Sequence, residues 1–229
     1  MLDLHNISIY SPFLSILAFC VFSFNWKQKL KWTIFILVIT GVIVDIVCKN
    51  LAQKSISTIF VINIFTLIET QLVFLFFYTL FKKKQLKKFL LALSVIFLLV
   101  WICKNFVLGK LSSYDDITQP IEFILLLLLC LIYFFQKTKI TETTFIYNHY
   151  EFWIVSALLI YCAGTFFSFF IPVNSTEKNA DTFVFEQISR IGNILKSILI
   201  AIAFCINNKP TSNTHKNPNS MYYINDLKD

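Results

Sequence analysis

The chain has 229 residues, of which 57% are hydrophobic and 14% charged, and its mean hydropathy is +0.69. Soluble domains hold roughly 45–50% apolar and about 25% charged residues, so this surplus of apolar surface requires lipid as solvent and argues against a water-soluble enzyme or binding domain. The net charge of +7 comes from lysines in short segments between apolar runs; that placement suits lipid headgroups rather than nucleic acid.

Apolar runs close to the roughly 20 residues that cross a hydrocarbon core as helix recur along the chain. They predict an all-α, polytopic membrane bundle with seven transmembrane helices near residues 8–24, 32–48, 57–81, 89–104, 117–135, 152–171 and 183–206. Six spans is the alternative, because Pro12 and several serines interrupt the first run. That run follows only Asp3 and His5, with no basic leader, and is expected to be a retained span rather than a signal peptide. Trp26 and Trp32 mark the interface that follows. Residues 1–207 are read as one transmembrane domain, and residues 208–229 as an Asn-, Thr- and Ser-rich tail too polar to build a core.

Segments that stay in the cytoplasm retain Lys and Arg. One side carries Lys27, Lys29 and Lys31, then Lys82, Lys83, Lys84, Lys87 and Lys88, then Lys137 and Lys139, with Lys209, Lys216 and Lys228 in the tail. The other carries Lys49, Lys54, Lys104, Lys110 and Lys178, diluted by acidic residues. The expectation is an outside N-terminus and a cytoplasmic C-terminus in a cell inner (plasma) membrane. Six cysteines lie on different spans with no CxxC pair, which favours apolar contact roles over metal or redox chemistry; only Cys48 and Cys103 are placed to meet as a disulfide.

Removing loop charges leaves Asp45, Glu69, Glu122, Glu186, Arg190 and Lys196 within or near the membrane, each costing about 2.5–3.5 kcal/mol at a helix centre. Such groups need partners or a water-filled cavity. On the seventh span Glu186, Arg190, Asn193 and Ser197 follow at helical spacing, with Lys196 beside them. The third span offers Asn63, Thr66, Glu69 and Thr70 within one sector, and the fifth Gln119 and Glu122 around Pro120. The sixth presents Ala157, Tyr161, Gly164, Thr165 and Ser168, a small and hydroxylated seam suited to close helix approach. With spans alternating in direction, these charges sort to the outer half or midplane, which predicts a cavity open outward and a dry cytoplasmic seal. Arg190 is the single arginine beside nineteen lysines. Its planar fork suits either an internal carboxylate partner or capture of an anionic or zwitterionic ligand. Lys196 and Glu69 are read in the same two ways, as a buried ion pair or as ligand contacts.

Several chemistries fail on their own requirements. A lysine on a seventh helix facing a carboxylate on the third is similar to the microbial rhodopsins. That family places an aspartate four residues before its retinal lysine, where this chain has Gly192. His5, His149 and His215 lie outside the spans, leaving no metal cluster. Glu186 and Arg190 match the ExxxR spacing of prenyl-protease-like membrane enzymes without their histidine motifs, and Ser189, Ser197 and Lys196 have no GxSxG elbow. No cofactor is expected. A small-solute transporter is the first alternative and an intramembrane lipid or peptide hydrolase the second; the transporter reading lacks an internal repeat.

The runs Thr66-Leu67-Ile68-Glu69 with Phe77-Tyr78, Phe152-Trp153 to Ile160-Tyr161 with Gly164, and Asn193-Ile194-Leu195-Lys196 resemble those of uncharacterised bacterial seven-helix inner-membrane proteins often encoded near sensor histidine kinases. The resemblance implies a signalling module that partners a membrane or cytoplasmic histidine kinase. Combined with the polar layer, it leads to an expected sensory or scaffold protein. Glu69, Glu122, Glu186, Arg190, Asn193 and Lys196, with Asn63 and Tyr161, are its candidate ligand-binding or ion-pairing residues.

Overall fold

The structure, a computed structural model, describes residues 4–23, 28–107, 118–138, 146–166 and 180–206. The tail and the loop lysines at 27, 110, 139 and 178 lie outside this set, as does Ser168. The described residues form seven helices and no strand: α1 (Leu4–Ala18), α2 (Lys29–Gln53), α3 (Ile59–Leu80), α4 (Lys84–Ile102), α5 (Thr118–Thr138), α6 (Tyr150–Phe166) and α7 (Ala180–Cys205). One π-turn extends α1 to Ser23 and another extends α4 to Val107. Six of the helices are long and apolar enough to cross a membrane. The other, α6, is apolar and has 17 described residues, about 25 Å at 1.5 Å per residue against a core of about 30 Å.

The exterior explains the composition. Ile43, Ile46, Leu91, Val95, Leu99, Leu128 and Leu131 are all exposed on helix faces, an arrangement that water disfavours and acyl chains accept. Inside, large aromatic residues fill the layer between helices, with Phe76, Phe77 and Phe97 fully enclosed. Helix neighbours trace a ring in the order α1, α2, α3, α5, α6, α7, closed by the contact of α7 with α1, while α4 docks outside against α3 and α5. Trp101 Nε1 ties α4 to α3 by donating to Asn63 O at 2.9 Å, and Ser94 Oγ donates to Gln71 Oε1 across the same pair.

Lipid supplies no hydrogen bonds, so each backbone irregularity must be satisfied from within the protein. Pro12 lies inside α1 and deprives the Ser8 carbonyl of its usual donor four residues on. Ser11 Oγ sits 3.0 Å from that carbonyl and 3.1 Å from Ser197 Oγ, within reach of either. Ser15 Oγ donates to Ser197 O at 2.7 Å, and Ser23 Oγ donates to Phe204 O. The serines that weaken α1 as an apolar run are therefore its seam with α7.

The tightest helix crossing joins α6 and α7. A Cβ at Gly164 would lie 3.4 Å from both Gly192 Cα and Ile188 O, and one at Gly192 would lie 3.6 Å from Gly164 Cα. Small residues allow such backbone approach, and larger ones force the helices apart. Gly164→Val is expected to lower unfolding stability in detergent by about 1–3 kcal/mol, the usual cost of overfilling a close-packed site. Gly41→Ala, whose Cβ would meet only Phe65 Cζ at 3.9 Å, should be near neutral in the same denaturation assay.

Candidate functional site

Inside the helix ring lies a cavity of about 260 Å³ to which α1, α2, α3, α6 and α7 all contribute. Its charged members are Asp45 from α2, Glu69 from α3 and Lys196 from α7. Tyr161 from α6 and Asn193 from α7 also face it, and Ser8, Ser15 and Ser197 supply further polar lining. Glu69 is buried, Lys196 and Asn193 are half-buried, and Asp45 is exposed.

The position of the lysine follows from the helix crossing. Lys196 is one turn beyond Gly192 and Tyr161 one turn before Gly164, so the crossing that brings the glycines together lays the ammonium over the phenol ring. Lys196 Nζ is 3.5 Å from the Tyr161 ring centroid, a cation–π contact that compensates part of the cation's lost hydration. The ring is fixed from behind by an edge-on contact with Phe123, at 5.6 Å between centroids. The charge of Lys196 acts on Glu69 and Asp45. Among the described residues it forms no direct salt bridge with either carboxylate. One cation and two carboxylates thus share a cavity without closing on one another.

The other sequence-derived candidates are placed differently. Asn63 and Glu122 are buried in the α3 and α5 interior and do not line this cavity. Gln119 Nε2, one turn before Glu122, reaches Thr66 Oγ1 at 3.4 Å. Arg190 is half-buried on α7 and also lies away from the cavity lining, while Glu186 is on the same helix with its side chain outside the described set. Asp45, read from sequence as an intramembrane charge and a candidate partner of Arg190, is a cavity residue. Its helical register with Gly41 and Val42 carried that information, but only knowledge of the neighbouring helices exposes it. All six cysteines are free thiols, so Cys48 and Cys103 do not form the disulfide considered from sequence.

Beyond the cavity, toward the C-terminal end of α7, aromatic rings cluster between α1, α2 and α7. Phe19 stacks on Phe35 at 3.9 Å and meets Trp32 and Phe204 edge-on at 4.9 and 5.0 Å. This end also holds a buried cation. Lys31, counted among loop lysines from sequence, is fully buried in α2. Its Nζ donates to Ser23 Oγ at 2.9 Å, Phe204 O at 3.2 Å and Ile206 O at 2.7 Å, and it lies 5.0 Å from the Tyr150 ring centroid. The last carbonyls of a helix lack intrahelical donors and carry its negative pole, which a cation satisfies. Lys104 is likewise buried, in the π-turn after α4, rather than free in a loop.

Compared with protein-family models, curated proteins and solved structures, the chain matches none. Fold and composition define an all-helical, multi-pass membrane bundle. Lys31→Met should destabilise that bundle by about 1–3 kcal/mol through the Ile206 carbonyl it leaves without its donor, Phe204 O keeping the bond from Ser23 Oγ, as read by thermal unfolding in detergent. Lys29→Met, at an exposed position two residues earlier on the other face of α2, should have little effect.

Proposed function

We propose that the protein is a sensory membrane module that binds a small zwitterionic ligand in the cavity between α1, α2, α3, α6 and α7. The observation that carries this reading is the meeting of Lys196, Asp45 and Glu69 around an unfilled volume of about 260 Å³. Charges held in low dielectric without direct pairing are complementary to a ligand that brings both signs. Lys196 would take the anionic group, Asp45 and Glu69 the cationic one, and Asn193 and the serines would orient it. A small amino acid or betaine has the required chemistry.

In the proposed topology the N-terminus and the α2–α3 turn face outward, and the lysine-rich α3–α4 turn faces the cytoplasm of a cell whose inner membrane holds the protein. The aromatic layer around Phe19 then closes the cytoplasmic end, which favours sensing over transport. Ligand binding would act by preferring one position of α7, because that helix carries both Lys196 and the carbonyls clamped by Lys31. A histidine kinase is the proposed recipient of the signal.

The test is thermal unfolding of the purified protein against amino acids, betaines, dicarboxylates and phosphates. A zwitterion should raise the wild-type midpoint, since saturation at about 100 times Kd adds about 2.7 kcal/mol, and should leave Lys196→Gln and Asp45→Asn unmoved. A folded wild type that responds to none, or variants that respond as it does, would rule the site out. Orientation is read separately in intact cells with an impermeant maleimide. Ser57→Cys should label and Gln85→Cys should not, above the background of the native thiols.

A further inference from the structure

The ring leaves α4 on the outside, and the two sides of its first turns are grooved. Between α3 and α4 runs a groove of about 540 Å³ lined mainly by Phe74, Leu75, Tyr78, Leu91 and Val95. Between α4 and α5 runs another of about 430 Å³, lined by Leu86, Phe89, Ile132 and Phe135 and reaching Lys83. The second begins at Lys83 in the turn Phe81–Lys83, and the first begins about two turns farther along α4, at Leu90, level with Tyr78 on α3.

The charge at that turn is one-sided. Lys82, Lys83, Lys84, Lys87 and Lys88 fall within seven positions, and the chain has no Asp or Glu between Glu69 and Asp115. Four of these lysines are exposed, and Lys87 lies 5.0 Å from the Tyr78 ring centroid, at the mouth of the first groove. The same turn starts α4, and its N-cap Lys83 makes no side-chain capping bond, so the first-turn amides and the positive end of the helix dipole remain available to an anion.

We infer that the N-terminal end of α4 is a binding site for one anionic phospholipid, its phosphate held by Lys83, Lys84, Lys87 and the first-turn amides, and its two acyl chains lying in the grooves on either side of α4. Two apolar channels on either side of α4, one opening at Lys83 and the other below Lys87 and Tyr78, match the shape of a two-chain lipid. A soluble anion would use the lysines and leave the grooves empty; a neutral lipid would use the grooves and leave the lysines unanswered. The site is separate from the central cavity and does not depend on what that cavity binds.

The test places a tryptophan in the first groove by Leu91→Trp and another farther along the same helix by Leu99→Trp; both leucines are exposed, at 59% and 54%. Each variant is reconstituted with dibromo-phosphatidylglycerol or dibromo-phosphatidylcholine at equal fractions, brominated at the same chain positions so that depth cancels. Emission of the added tryptophan is obtained by subtracting that of the wild type. At the groove, phosphatidylglycerol should associate about fivefold or more tightly than phosphatidylcholine, the factor one lysine near a headgroup supplies. At Leu99→Trp the two lipids should quench equally. The preference at the groove should fall to about one when exposed Lys83 and Lys84 and half-buried Lys87 are all changed to Gln, with folding checked by an unchanged thermal midpoint. Equal quenching by both lipids at the groove, or a preference that survives loss of the lysines, would overturn the assignment.

Discussion

The close crossing of α6 and α7 at Gly164 and Gly192 is the constraint on which the rest of the bundle depends. In lipid the hydrophobic effect does not drive helices together, so association falls to close backbone approach and to polar groups that find each other. Here the first brings about the second. Once the glycine backbones touch, Lys196 is carried onto the face of Tyr161 and the adjoining Ser197 is turned to the serines of α1. The central cavity is what remains where α2 and α3 complete the ring around that pair.

Much of the architecture was legible in the sequence because a helix that crosses lipid must be apolar over a defined length. The seven apolar runs correspond to the seven helices, with most ends displaced by a few residues. The sixth run was read as far as residue 171, beyond the described end of α6 at Phe166. The small-residue seam on the sixth run was also readable, since Ala157 and Gly164 share a helical face. Its partner Gly192 was not, because nothing in a linear sequence says which two helices touch. The same limit explains Lys31. A lysine three residues into a helix looks like any interfacial lysine until the C-terminal carbonyls of α7 are known to lie against it.

The polar layer shows the limit most clearly. Helical periodicity grouped Arg190, Asn193 and Ser197 on one side of α7, yet Asn193 and Ser197 reach the cavity and Arg190 does not. A face that spans several turns meets different neighbours at different heights, so sharing a stripe does not mean sharing a site. Asp45 shows the converse: it is the one acidic residue of α2 and becomes a site residue only because α1, α3 and α7 surround it.

The clamp of Lys31 on Phe204 and Ile206 joins positions 173 and 175 residues apart in the chain. A ribosome delivers α2 long before α7, so through most of synthesis this lysine has none of its final backbone acceptors. It must stay at the membrane surface, where water can hold it, until the last helix arrives. Arrival of α7 is then the step that gives this lysine its backbone acceptors. A chain cut short before α7 would keep a hydrated cation where the bundle has a buried, fully bonded one, a difference that membrane quality control could read directly.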